Sequence, residues 1–318
     1  RAVVSSPDST ISSVGSTLKY KCKEDDGTIF YGYVVQPLKE DDSNIDNDSS
    51  SSSNILLPGI LFFHTGAGPQ DLFLRWKADS LVTDDDIFGA TKGCVVLIAD
   101  LLSDEEGWSW DNDRSRYDQT RNKVLSHDDN GVRSNLQQRI LAAISALEDM
   151  PTVDKTRLAA LGWCFGGHPI AEFGRIQHPG IRAIASFHGV FDGILDSDNV
   201  SSNDDGDDYL PETIKKQQQK DATTIEGETE ALICNGLDDP FVSRSALTTC
   251  QSIFANANIE CTVREFSDVR HGFTNPAQDF NPNPNFQYDD DAASQSWLAC
   301  RSLLKRAFFS ATPPSIES

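Results

Sequence analysis

The stretch Leu158-Ala-Ala-Leu-Gly162-Trp163-Cys164-Phe165-Gly166-Gly167 constrains the fold of this chain more than any other. An apolar segment suited to a buried strand runs straight into Gly-x-Cys-x-Gly-Gly. Helix-compatible residues (Ile170, Ala171, Glu172, Phe173) follow without a spacer. A strand that turns directly into a helix holds its central residue in a strained backbone conformation, and side chains two positions either side would collide. Gly162 and Gly166 remove those collisions. The pattern predicts a nucleophile elbow with Cys164 at the carboxyl end of a sheet strand and at a helix N-terminus. Backbone dipoles there favour negative charge on a thiol. A structural cysteine beside a glycine-rich turn would look the same locally, so the rest of the chain has to decide.

Around the elbow, strand-like runs at 60–64, 93–100, 181–187, 231–234 and 262–266 alternate with helical patterns. The run at 93–100 is almost continuously apolar, as a strand covered on both faces requires. Helices are predicted at 71–82, 136–147 and 292–309; the second carries Leu136, Ile140, Leu141, Ile144 and Leu147 on one face. An alternating segment at 27–37 reads as an early antiparallel strand. This order predicts an α/β fold: a mostly parallel central sheet with helices on both faces. Residues 27–309 read as one domain, after a polar, loosely attached segment at 1–26 and before a tail at 310–318. Two acidic, Ser/Asn-rich stretches near 39–54 and 196–220 hold too few large apolar residues to order themselves. They read as insertions into that one core.

A nucleophile needs a base, and the base needs something to orient it. Glu230-Ala-Leu-Ile-Cys-Asn-Gly236 predicts a short buried strand leading into an acidic loop with Asp238 and Asp239. The run 261–266 leads into Arg270-His271-Gly272-Phe273. Each candidate follows a predicted strand, where a parallel sheet gathers its catalytic loops. His271 is the candidate base, and Asp239 the acid that fixes its tautomer; Asp238 competes for that role.

On these residues the chain resembles the dienelactone hydrolase family, a cysteine-nucleophile branch of the α/β-hydrolases. The matching pieces are Gly-Trp-Cys-Phe-Gly-Gly at 162–167, Ser-Phe-His-Gly at 186–189, Gly236-x-x-Asp239-x-x-Val242 and His271-Gly-Phe. Gly59-Ile-Leu-Phe-Phe-His64-Thr-Gly-Ala-Gly68 is similar to the family's strand and oxyanion loop. The resemblance spans residues 27 to 308 apart from the two insertions. It implies the α/β-hydrolase fold, with Cys164 as nucleophile, Asp239 as acid and His271 as base. It also implies an oxyanion hole from the backbone N–H groups of Phe165 and Gly66. The implied reaction cleaves an ester or lactone through a thioester acyl-enzyme, without cofactor or metal.

Two positions depart from the family's dienelactone-cleaving members. Thr65 stands where those members carry a glutamate that helps activate the thiol, and Asn275 where they carry an arginine for the substrate carboxylate. The acyl-transfer machinery is expected to remain, resting on the Cys164–His271 pair, while the namesake substrate is not expected. Two other readings use the same residues: a thioesterase, or a catalytically degenerate hydrolase whose cysteine senses redox state or binds a partner.

The formal charge of −22 over 318 residues argues against nucleic acid and anionic membranes as partners. The expected partner is a small-molecule ester or lactone, and a monomer is favoured for the oligomeric state. Cys22, Cys94, Cys164, Cys234, Cys250, Cys261 and Cys300 form no CxxC pair and no zinc spacing. That pattern points to a reducing, cytoplasmic compartment. The sequons at Asn47 and Asn199 and the lack of an initial methionine point the other way, to secretion or a processed N-terminus. Asp204-Asp-Gly-Asp-Asp208 does not have the ligand spacing of a calcium loop. His64, His168 and His188 are expected to be hydrogen-bonded structural residues, and His127 and His178 surface ones. Between 100 and 136 lies a charged stretch with Trp108, Trp110, Arg114, Arg116, Tyr117 and Arg121. It reads equally as a substrate-facing lid and as a solvated loop anchored by aromatics.

Overall fold

In the computed structural model, residues 3–5, 12–22, 27–38, 55–103, 108, 114–195 and 229–309 are described. The strands are β1 (Val3–Ser5), β2 (Ser12–Lys21), β3 (Ile29–Pro37), β4 (Leu57–Phe63), β5 (Val95–Ala99), β6 (Val153–Trp163), β7 (Ile181–Phe187), β8 (Glu230–Gly236) and β9 (Glu260–Phe266). They form one nine-stranded sheet in the order β1-β2-β3-β5-β4-β6-β7-β8-β9. The first three pair antiparallel, β3 joins β5 antiparallel, and every pair from β5 to β9 is parallel. This is the α/β-hydrolase arrangement, and the segment at 27–37 is the antiparallel strand its alternation predicts.

Strands β4 to β8 are apolar on both faces because helices cover both. On one face Leu61, Phe63, Leu97 and Ile184 meet α4 (Ser134–Glu148), α5 (Gly167–Ile176) and α6 (Arg244–Asn256) through Ile140, Ile144, Phe173 and Phe254. On the other, Ile60, Phe62, Ile98 and Leu161 meet α1 (Leu72–Val82), α2 (Asp85–Phe88) and α7 (Asp290–Phe309) through Leu74, Leu81, Phe88 and Leu304. Edge strand β9 stays largely open to solvent. The predicted helices at 71–82, 136–147 and 292–309 correspond to α1, α4 and α7. None of the helices among the described residues is long and apolar enough to cross a membrane.

Two expectations need correction. Residues 1–26 include β1 and β2, and β2 pairs with β3 along its whole length, from Ser13 opposite Pro37 to Lys21 opposite Ile29. Hydropathy misses β2 because small and polar residues point inward: Ser13 and Gly15 are buried, and Ser13 Oγ donates to Asp79 Oδ1 at 2.8 Å. Between 100 and 136 the chain builds α3 (Arg114–Leu125), a helix without a strong apolar stripe, held down by buried Tyr117 and Val124. The stretches 39–54, 196–220 and 310–318, with both sequons and the 204–208 acidic run, lie outside the described residues, as does Trp110.

The parallel register brings the carboxyl ends of the strands to one edge. His64, Asp100, Cys164 and His188 immediately follow β4, β5, β6 and β7, and the loops after β8 and β9 carry Asp239 and His271. Tyr20 of β2 locks this edge to the antiparallel side. Its hydroxyl donates to the Asp100 carbonyl at 3.2 Å and accepts from the Asp100 N–H at 3.0 Å. Tyr20→Phe leaves those buried groups unpaired and should cost about 1–3 kcal/mol in urea unfolding. A loosely attached N-terminal segment would show no change.

Candidate active site

The elbow forms as its glycines require. Cys164 sits at φ +52°, in the left-handed region, between extended Trp163 and the first turns of a helix. A β-carbon on Gly162 would lie 2.2 Å from the Gly166 carbonyl oxygen, so the two glycines meet across the turn. One on Gly166 would lie 2.3 Å from the Phe63 carbonyl oxygen, at the end of the neighbouring strand. The elbow is thus pressed against β4 as well as folded on itself. Val190 N–H donates to the Cys164 carbonyl at 2.8 Å and clamps the turn from the β7 side. Cys164 itself is half-buried.

His271 is buried beside it. Its Nδ1 donates to Asp239 Oδ2 at 2.7 Å, and both side chains are shielded from water. Asp239 is held in turn by the Phe241 N–H on Oδ1 at 2.9 Å, whereas Asp238 is exposed. This separates the two competing acids: only Asp239 reaches the imidazole. The backbone of His271 is clamped by Asn285 and Gln287, and the rings of Phe241 and Phe286 stand edge-on to it at 4.9 and 5.1 Å. With Nδ1 committed to Asp239, Nε2 is the ring nitrogen left for Cys164, the group that most favours the charged ring. Burial alone would push the His271 pKa down. The charge at Cys164, then the Asp239 hydrogen bond, outweigh it and lift the value to about 10.

The oxyanion loop explains the first departure. Thr65 does not stand in for a carboxylate. Its hydroxyl donates to Asp71 Oδ2 at 3.0 Å and accepts from the Ala67 N–H at 3.2 Å, so it braces its own loop. Asp71 also caps α1 by accepting from Phe73 N–H at 2.9 Å. The Gly66 carbonyl accepts from Trp108 Nε1 at 3.0 Å, and a β-carbon on Gly66 would lie 2.9 Å from the Tyr117 ring. Tyr117 also stands edge-on to Phe165 at 6.5 Å. Helix α3 therefore lays an aromatic over both residues expected to supply oxyanion donors. At the second departure, Asn275 Oδ1 accepts from the Ala277 N–H at 3.0 Å and caps a short turn.

The remaining histidines have partners. His64 is stacked on Phe165, and its Nε2 accepts from the Leu101 N–H at 3.1 Å. His168 lies between Arg133, 3.1 Å from Nδ1, and Arg121 with Asp192, each 3.4 Å from Nε2. Burial and the Arg133 charge push its pKa down to about 4 against the pull of Asp192. His188 Nε2 meets Thr274 Oγ1 at 2.9 Å, with its ring edge-on to His271 at 5.0 Å. His127 is exposed, and His178 is half-buried beside Glu148. Among the described residues no cluster of three or more His, Cys, Asp or Glu side chains could hold a metal. Asp71, Thr274, Phe241 and Phe286 escaped sequence reasoning, since nothing in their spacing marks them.

Comparison with known proteins follows this geometry. The sequence model of the dienelactone hydrolase family matches residues 78–308. The chain belongs to that family. A curated relative, the uncharacterized protein K02A2.1 of Caenorhabditis elegans, is 28% identical over 184 residues, 58% of this chain and 99% of the relative. Among solved structures, m3DLH superposes with a TM-score of 0.65 at 24% identity, covering 93% of this chain and 99% of its own. The dienelactone hydrolase-like promiscuous phosphotriesterase P91, from metagenomic libraries, does so with a TM-score of 0.64 at 24% identity and the same coverage. These two share the fold with this dienelactone hydrolase family member, which is a hydrolase.

The raised His271 pKa has a sign that can be checked. The buried imidazolium contributes stability that is fully present below 6.5 and is lost as pH rises through about 10. Imidazole NMR should show His271 titrating near the upper value in the native protein. The midpoint should fall in Cys164→Ala, and in Asp239→Asn, because each removes a group that favours the charged ring. A midpoint that stays put in Cys164→Ala would show that the sulfur does not couple to the imidazole.

Proposed function

We propose that this family member cleaves an ester or lactone by nucleophilic acyl transfer through a Cys164–His271–Asp239 triad. The observation that supports the reading most is the buried imidazole bonded to Asp239, with Cys164 the neighbour that most favours its charged form. A sensor cysteine has no use for a carboxylate behind its histidine, which favours catalysis over the degenerate reading.

In the proposed reaction the Cys164 sulfur attacks the substrate carbonyl carbon, and the carbonyl π pair moves onto oxygen. The backbone N–H groups of Phe165 and Gly66 stabilise that oxyanion; a donor of this kind is worth about 3 kcal/mol in the transition state. As the intermediate collapses, the carbon–oxygen bond to the leaving group breaks, and the His271 imidazolium gives its proton to the departing alkoxide. A water molecule then loses a proton to His271 and adds to the thioester. The acid product leaves, and sulfur recovers its electron pair. Asp239 holds the ring in one tautomer throughout. Thr65 and Asn275 are both spent on local hydrogen bonds, so the namesake carboxylated substrate finds neither of the side chains that its cleavage uses in the family.

Brief incubation with p-nitrophenyl acetate followed by intact-protein mass spectrometry should give one acetyl adduct, mapped to Cys164. The adduct should vanish in Cys164→Ala, and His271→Ala should lower kcat by about 10²–10⁴. Turnover surviving in Cys164→Ala would remove the thiol from the mechanism.

A further inference from the structure

A groove of about 410 Å³ runs between the head of α1 and the segment after His271, walled by Asp71, Leu72, Phe73 and Trp76 on one side and Asn275, Pro276 and Ala277 on the other. Both walls extend from elements already tied to the site. Asp71, at the head of α1, braces Thr65 next to Gly66. Asn275, at the head of the opposite wall, lies four residues past His271. The floor joins them: Phe73 is buried and stands edge-on to Trp163, the residue before Cys164, at 6.5 Å. The groove therefore lies between the loop that carries the base and the loop expected to carry an oxyanion donor.

Its walls are apolar apart from the Asp71 carboxylate and the Asn275 amide. Leu72 is 77% exposed and Trp76 53%, a large apolar area at a helix start that must otherwise face water. No basic side chain lines it, and its polar groups are engaged. The Asp71 carboxylate accepts from Thr65 and from the Phe73 N–H, and the Asn275 carbonyl oxygen accepts from the Ala277 N–H. Trp76 is also held in place: the Lys77 ammonium lies 4.8 Å from its ring and 4.4 Å from that of Trp297, tying α1 to α7 by cation–π attraction. A half-exposed indole held in this way can serve as one wall of a pocket for an apolar group.

We infer that this groove binds the apolar substituent of the ester, so that the substrates are uncharged esters bearing an alkyl or aryl chain. The inference rests on the ester-cleaving reading. The chain could belong to the acyl or to the alcohol half of the ester, since both leave the same carbonyl.

The test is a pair of substrate series on the full chain: p-nitrophenyl acetate, butyrate and octanoate, and ethyl, butyl and octyl acetate. In one series kcat/KM should rise by about fourfold for each methylene that enters the groove. Which series rises identifies the half that is bound. Trp76→Ala, which opens one wall, should lower the long-to-short ratio about tenfold. Ala277→Phe, which fills the groove from the exposed opposite wall, should lower it as well. Rates that are flat in both series, or a ratio that survives in both variants, would overturn the inference while acetylation of Cys164 still supported the triad. Absence of that acetylation would instead sink the ester-cleaving reading, and the groove's role with it.

Discussion

The placement of Cys164 depends on how closely the turn after β6 can approach the end of β4. Gly166 stands where a β-carbon would come within 2.3 Å of the Phe63 carbonyl oxygen, and that contact sets the depth at which Cys164 sits relative to the oxyanion loop. The next residues along β4 are His64, Thr65 and Gly66, so the approach that seats the nucleophile also brings the loop alongside it. A side chain at Gly166 would force the two backbones apart. The left-handed backbone of Cys164 is the local cost, offset by the clamp from Val190 and by the packing of Phe165 and Trp163 into opposite layers of the core.

On that scaffold the electrostatics of the site follow from burial. An imidazole shut away from water would stay neutral without partners. His271 is charged to high pH because a carboxylate and a sulfur face it from two sides in a medium that screens little. His168 and His188 show the converse. Both are buried without a carboxylate bonded as closely, and the pKa of each is pushed down, in His188 partly by the charge on His271 itself. Of the four buried histidines around the elbow, His271 is thus pushed toward its charged form and His64, His168 and His188 toward neutral.

The family's activating glutamate and substrate arginine are absent, and their places are taken by residues that turn inward. Thr65 and Asn275 close hydrogen bonds within their own loops, and the carboxylate nearest to Thr65, Asp71, serves as a helix cap. The surfaces beside these groups are Leu72, Trp76 and Pro276. An aromatic cover adds to this, since Tyr117 of α3 and Trp108 before it both lean on Gly66. The rim of the site is thus more apolar than its acidic sequence suggests.

Strand–glycine–cysteine–glycine–helix, followed by an acid and a histidine each after a strand, was readable from residue types because those patterns obey local rules: strand runs, steric relief at a turn, helix starts. From them came the elbow, the parallel sheet and the chain order of Cys164, Asp239 and His271. Local rules could not reveal β2, whose inward residues are small and polar and whose existence depends on pairing with β3. Nor could they find α3, which lacks a strong apolar stripe and is held by single anchors. The bond that ties Asp239 to His271, the double duty of Gly166 and the groove beside Trp76 were decided by tertiary structure alone. Each depends on the distance between atoms far apart along the chain, and sequence spacing carries no information about that distance until the sheet has set its register.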